Sequence, residues 1–212
     1  MTVFDLTHPI AQNMPVYPGT EPPTITTECS IDEVGFLEKK ITMYSHTGTH
    51  VDAPAHLLKK HNTLDMLKID HFYGSAFLLR HDDSTVKSIG VNLLQPYQDK
   101  IQAVDFLLLH TGWSQYWGFK QYFAEYPVLS LEAAHWLGRF GLKGFGLDTI
   151  SADPVDSQDY PVHKALLQNN IIIIENLANL QDLPCNRFDF SCFPLSMADA
   201  EGSPVRAVAF IQ

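Results

Sequence analysis

Ser45-His46-Thr47-Gly48-Thr49-His50-Val51-Asp52-Ala53-Pro54-Ala55-His56 carries four potential metal ligands or proton carriers, His46, His50, Asp52 and His56, within one short run. Gly48 and Pro54 interrupt it, which excludes a helix of the HExxH kind, where two imidazoles share a face by helical pitch. All four side chains stand at even positions, so in an extended chain they project to one side. Full extension would separate His46 from His50 by roughly 13 Å, at about 3.3 Å per residue. A single ion holds each ligand at about 2.0–2.2 Å, so the two must come closer than that. The chain must therefore bend between them, and Gly48 is the residue that permits it. Pro54 then fixes the backbone beyond Asp52 and turns His56 toward the same spot. A hydrogen-bonded structural cluster is the other reading of these residues; three histidines and an aspartate at even spacing around a Gly and a Pro favour the metal.

Outward from this stretch, β character precedes it at Thr24–Thr27 and Leu37–Tyr44, after a short strand at Val3–Leu6 and a proline-rich loop with a turn at Tyr17-Pro18-Gly19. The histidine run is thus expected at the end of a strand, on an irregular segment backed by sheet. Beyond it, His61–Lys68 reads as a loop or short helix, Ala76–Arg80 as a buried strand and Val91–Gln95 as a short helix stopped by Pro96. Val104–Leu109 is a buried strand ending in His110-Thr111-Gly112-Trp113, which suits a pocket wall, although Trp113, Tyr116 and Trp117 fit a core equally well. Leu131–Phe140 has helical periodicity, with Ser130 as N-cap and Gly141 as stop. Gly144–Leu147 is a strand, and His163–Gln168 a helix introduced by Pro161. The β-branched run Ile171–Ile174 is a central strand that ends at Glu175, and Val205–Ile211 is the last strand. A carboxylate where a buried strand emerges is costly unless something binds it. Strands dominate the first half and alternate with helices in the second. The expectation is one α/β domain over residues 1–212 with a mixed sheet.

Composition narrows the function classes. Hydrophobic residues make up 45% and charged residues 18% of 212 residues, as in a globular enzyme. A formal charge of −10 gives no footing for nucleic acid or an anionic membrane. Three cysteines, Cys29, Cys185 and Cys192, form no CxxC pair, which favours a reducing compartment over a disulfide framework. No signal-peptide pattern is visible at the N-terminus, and the apolar runs Phe106–Leu109 and Ile171–Ile174 are far too short to span a membrane. A cytoplasmic location is expected. Asp148 and Asp153 read as loop-capping groups, His110 as a pocket or core residue, and His61, His71, His81 and His135 as surface residues.

The signature His46-Thr-Gly-Thr-His50-Val-Asp52-Ala-Pro-Ala-His56 resembles that of the metal-dependent cyclase hydrolases, a family that includes bacterial kynurenine formamidase and isatin hydrolase. The opening Asp5-Leu-Thr-His-Pro-Ile, Pro15-Val-Tyr-Pro-Gly19, His110-Thr-Gly-Trp113, Gly146-Leu-Asp-Thr-Ile-Ser151, Val162-His163 and Glu175-Asn-Leu follow in the family's order, so the likeness covers nearly the whole chain. The resemblance implies a swivelling β/β/α fold and homodimers or homotetramers. It implies His46, His50 and Asp52 as ligands of one ion, and His163 and Glu175 as ligands of a second in two-metal members, with Asp52 (or Asp52 and Glu175) bridging. His56 stands at the family's proton-transferring histidine. Tyr17 stands where a Trp of the formamidases contacts an aromatic substrate, a departure from their pattern.

Imidazoles and carboxylates without a thiolate suit zinc or manganese, one or two ions per chain. Such a centre polarises a carbonyl and supplies metal-bound hydroxide near neutral pH, and no GxSxG elbow offers a competing nucleophile. The expected activity is hydrolysis of an amide, N-formyl or cyclic amide bond in a small molecule, with His56 protonating the leaving group. A lactone hydrolase or a cyclase or dehydratase on the same scaffold is the alternative, and a non-catalytic metal-binding protein a more distant one.

Overall fold

A β-branched run reading Ile172-Ile173-Ile174 cannot bury both of its faces in one place, because successive side chains in a strand point to opposite sides. In the computed structural model, which describes residues 1–81, 83 and 85–212, two different cores receive them. Among the described residues, twelve strands run in the order β1 (Thr2–Asp5), β2 (Thr24–Cys29), β3 (Glu38–Thr42), β4 (His50–Asp52), β5 (Tyr73–Arg80), β6 (Ser88–Ile89), β7 (Phe106–His110), β8 (Val128–Leu129), β9 (Gly144–Leu147), β10 (Ile172–Glu175), β11 (Arg187–Pro194) and β12 (Gly202–Ile211).

Eight of them form one mixed sheet in the order β1-β12-β11-β5-β7-β9-β10-β4. The first residues of β12 also pair with β4, which closes the sheet on itself as a barrel. Strands β5, β7, β9 and β10 are parallel neighbours, and the remaining contacts of the sheet are antiparallel. The α/β class with a mixed sheet, expected from the alternation of elements, is the observed one.

Alternate residues from around the ring meet inside it: Val51, Leu78, Leu108, Ile174, Phe190 and Ala207 belong to one buried cluster. Their neighbours Leu79, Leu107, Phe145 and Ile173 face outward and are covered by the helices Leu131–Leu137 and Pro161–Leu167. Strand β9 contributes Gly144 and Gly146 to the interior because no room remains there. A Cβ at Gly144 would lie 2.8 Å from the Phe106 ring, and one at Gly146 would lie 2.6 Å from Leu108.

Several boundaries differ from the sequence reading. Ser130 caps its helix by accepting from the Ala133 N–H at 3.1 Å, as expected, but the α-helix ends at Leu137 with Gly138 as its cap. The chain continues to Phe140 as tight turns, with Arg139 and Phe140 donating to carbonyls three residues back. The histidine run is itself partly a sheet strand, since His50–Asp52 is β4; only its flanks are irregular. Trp113 packs in a third cluster with Tyr122 and Tyr126, and the loop after β7 walls off core there. His61 and His135 are exposed, whereas His71 is half-buried with its ring on the Lys143 carbonyl at 3.1 Å, and His81 is half-buried too.

Gly144→Val should lower unfolding free energy by about 1–3 kcal/mol, because the added methyls meet an aromatic ring in a filled barrel. Urea denaturation followed by circular dichroism measures it; an unchanged midpoint would contradict the packing described.

Candidate metal centre

The parity that sends Val51 and Ile174 into the barrel sends their neighbours out of it. Antiparallel pairing sets Ile173 opposite Asp52, Ile174 opposite Val51 and Glu175 opposite His50. His50, Asp52 and Glu175 therefore emerge side by side on the outer face, at the edge of the helical layer. On the far side of β4, Gly202 stands opposite Asp52, and the His46 ring lies where a Cβ at Gly202 would be, 2.5 Å away. The helix Pro161–Leu167 brings His163 in from the layer above.

The side chains converge closely. His46 Nδ1 lies 2.7 Å and His50 Nε2 3.3 Å from Asp52 Oδ1. His163 Nε2 lies 3.1 Å from Glu175 Oε1 and 3.7 Å from Asp52 Oδ2, and His50 Nε2 lies 3.5 Å from Glu175 Oε2. Two groups, His46–His50–Asp52 and Asp52–His163–Glu175, each present one donor atom within 4.8 Å of the others, with Asp52 common to both. His56, on the turn Pro54–His56, has its ring 4.1 Å from that of His46 and 6.3 Å from that of His163. The bend at Gly48 has φ of 67°, the left-handed region that glycine enters without strain.

Burial and charge bear on what the cluster holds. Burial alone would lower His50, but Asp52 and Glu175 overcome it and hold the imidazole up at about 9. His163 is likewise pushed down by burial and lifted to about 10 by Asp153 and Glu175. Asp52 would rise on burial, yet His46 and His50 keep it well below the ordinary carboxylate range. His56, mostly buried, is lowered by that burial. The cluster is thus built to surround positive charge. His46 Nε2, His50 Nε2 and Asp52 Oδ2 are buried without hydrogen-bond partners. Buried nitrogen and oxygen atoms left without partners in these two groups, with no sulfur among them, fit a divalent cation of borderline or hard character.

Comparison with known proteins gives the family of the chain. Residues 4–154 match the family described as "Putative cyclase". The chain belongs to the cyclase family. It is 32% identical over 206 residues to the kynurenine formamidase of Bacillus cytotoxicus, covering 97% of this chain and 95% of that one. Its fold superposes on isatin hydrolase A from Ralstonia solanacearum with a TM-score of 0.87 at 26% identity, over 100% of this chain and 92% of the other. A solved structure described as a potential metal-dependent hydrolase with cyclase activity gives 0.80 at 28% identity, over 100% and 98%.

For a cyclase-family chain, the residues that support the cluster are as informative as the cluster itself. Asp153 accepts from the backbone N–H groups of Val162 and His163, both at 2.9 Å, and sits 2.6 Å from His163 Nδ1. It caps the helix, as its place in a loop suggested, and it also aims the imidazole. Asp148 is wholly buried and accepts from the N–H groups of Thr111 and Trp113, as a loop-capping group does. His50 Nδ1 lies 2.8 Å from the Gly48 carbonyl, which Asn176 Nδ2 also reaches at 2.9 Å. Glu201 accepts from Ser45 at 2.6 Å and stands 3.4 Å from His46 Nε2. Neither Asn176 nor Glu201 carries a local sequence signal for these contacts, although Asn176 directly follows Glu175.

The raised imidazoles give the metal-free protein a defined pH response. Both exceed the ordinary histidine value of 6.5 in the folded state. Their contribution to stability is therefore complete below pH 6.5 and disappears as pH climbs through 9 to 10. The melting temperature of chelator-treated protein should fall over that window; a level profile would show that the carboxylates do not hold these rings protonated.

Proposed function

We propose that the chain is a metal-dependent hydrolase of the carbon–nitrogen bond of a small amide, in which His46, His50 and Asp52 hold one divalent ion and Asp52, His163 and Glu175 a second. The single observation that carries the reading is Asp52, a buried carboxylate shared by two groups of donors. The kinship to kynurenine formamidase and the structural likeness to isatin hydrolase support the amide as the bond attacked. Zinc or manganese suits the donors. When bound, such an ion supplies Lewis acidity toward a carbonyl and a lowered pKa for a neighbouring water.

The protein's own groups do the rest. A cavity of about 280 Å³ opens over the cluster, lined by His46, His50, Asp52, His56, His163 and Glu175 at its base and by Tyr17 on its wall. Tyr17 donates its hydroxyl to the Val155 carbonyl at 3.1 Å, which fixes the ring as a flat surface for a substrate. His56 lines the cavity without belonging to either donor group, and burial keeps its ring neutral at neutral pH. A neutral imidazole there takes a proton from water as it attacks and delivers it to the departing nitrogen. Asp153 keeps His163 in the tautomer whose Nε2 faces the cavity. A cytoplasmic location and assembly as a homodimer or homotetramer are part of this proposal. No helix among the described residues is long and apolar enough to cross a membrane.

His56→Ala should reduce kcat by about 10²–10⁴-fold with bound metal unchanged by elemental analysis. Retained turnover would remove the proton-transfer role. His50→Ala should lose metal and activity together, and Asp153→Asn should weaken metal affinity by about 10–100-fold in a competition titration with a chromogenic chelator. Full metal content in His50→Ala would show that the ion is held elsewhere.

A further inference from the structure

Three imidazoles turn a nitrogen toward the donor cluster, and the outer nitrogen of each needs a partner of its own. A neutral imidazole carries one proton, so whatever engages the outer nitrogen decides which of the two keeps a free lone pair. His50 sets Nδ1 2.8 Å from the Gly48 carbonyl and His163 sets Nδ1 2.6 Å from Asp153, so both face the cluster with Nε2. His46 is reversed. Its Nδ1 lies 2.7 Å from Asp52 Oδ1, and its outer nitrogen is Nε2. That nitrogen is buried and, among the described residues, has no hydrogen-bond partner. The acceptor that faces it is Glu201, with Oε1 at 3.4 Å.

Glu201 is tied to both ends of the histidine run. Its main-chain carbonyl accepts from the Ala53 N–H at 2.8 Å, beside Asp52, and its Oε1 accepts from the Ser45 hydroxyl at 2.6 Å, beside His46. The next residue, Gly202, is the one over which the His46 ring lies, so β12 restrains the ring and leaves its two nitrogens for polar contacts. Glu201 belongs to neither donor group, and it does not line the cavity over the cluster. Its effect on the chemistry therefore runs through His46. At 3.4 Å the pair is somewhat longer than a hydrogen bond. Once Nδ1 lends its lone pair to a cation, the Nε2–H becomes a stronger donor and draws the carboxylate in. The Glu201 side chain is 44% exposed, which leaves room for that adjustment.

Resting on the two-ion reading of the donor cluster, we propose that Glu201 is a positioning residue for His46. It accepts a hydrogen bond from Nε2–H, which leaves the Nδ1 lone pair directed at the ion held with His50 and Asp52. The role is confined to one donor group. His163 belongs to the other and already has Asp153 on its outer nitrogen. Glu201 therefore governs retention of one ion and leaves the ion of Asp52, His163 and Glu175 nearly unaffected. Ser45 serves the same end at one remove, by fixing Oε1. A glutamate that merely fastened the strand to the histidine run would act differently: its loss would destabilise the metal-free protein and would not single out one ion.

The test measures zinc retention in Glu201→Ala, Glu201→Gln and Ser45→Ala beside the unaltered protein, by competition with a chromogenic chelator and by elemental analysis after dialysis. Glu201→Ala should weaken the affinity for one ion by about 10–100-fold and leave the other within about twofold. Glu201→Gln, whose amide oxygen still accepts, should recover most of that loss. Ser45→Ala, which frees the carboxylate without deleting it, should weaken the same ion by a smaller factor. Chelator-treated Glu201→Ala should melt at the temperature of the chelator-treated unaltered protein, because removing a half-exposed side chain leaves no cavity. Unchanged zinc affinity in Glu201→Ala would overturn the proposal, as would equal loss of both ions, a glutamine variant as weak as alanine, or a fall in the metal-free melting temperature. An unaltered protein that retains fewer than two zinc ions would overturn the two-ion reading and the proposal with it, and that failure shows before any variant is compared.

Discussion

Three residue pairs across β10 and β4 decide where the chemistry of this protein can be. Ile174 opposite Val51 is a barrel pair, and the flanking pairs Ile173–Asp52 and Glu175–His50 face the helices. A slip of one residue would drive His50 and Asp52 into the apolar interior and expose Val51, so the register is set by the hydrophobic effect acting on its neighbours. The other edge of β4 repeats the constraint, with Ser203 opposite Val51 and wholly buried, and Gly202 opposite Asp52. Barrel closure by β12 and assembly of the donor cluster are thus one event. The strand that closes the sheet also carries the glycine over which His46 lies.

Burying this much charge is tolerable only because every carboxylate has partners in the cluster. Glu175 accepts from the Ala152 N–H at 2.8 Å besides facing His50 and His163. Asp153 uses two backbone N–H groups and an imidazole. Asp52 lies against His46 and His50, and its depressed pKa records how far they outweigh desolvation. Each contact compensates another, so the network resists piecemeal change: removing one member leaves its neighbour charged and buried. Such a place would suit a dication, since the two imidazoles that the protein otherwise holds protonated would release their protons to solvent and offer the freed nitrogens to the ion.

The legible part of this architecture follows from period and from side-chain chemistry. Even spacing through His46, His50 and Asp52 placed those groups on one side, and the glycine between them bends as the short reach of an ion required. The isoleucine run declared its strand, and the acid at its end declared a partner. What stayed hidden depends on contacts distant in sequence. Asp153 reads as a capping residue from its neighbours, and only the position of His163, ten residues on, reveals that it also orients a ring. Glu201 has no local signal, because its relation to Ser45 and His46 arises from barrel closure. Trp113 could not be assigned between pocket and core, because burial is settled by the packing of Tyr122 and Tyr126 around it.

Tyr160 shows how the loop before His163 meets several demands at once. Asp153 must lie beneath the first turn of the helix, so the chain leaves it, reverses, and enters the helix within a few residues. Pro161 suits the first helical position because its fixed φ is helical and it has no N–H to satisfy, but a residue preceding proline is pushed out of the right-handed α region. The left-handed conformation at Tyr160 resolves the conflict at roughly 1–2 kcal/mol. Ser157 helps hold it, its hydroxyl accepting the Tyr160 N–H at 3.2 Å. A glycine would relieve the backbone yet remove a wall of the cavity. The strain therefore sits where a side chain is needed, one turn from the imidazole that the same loop aims.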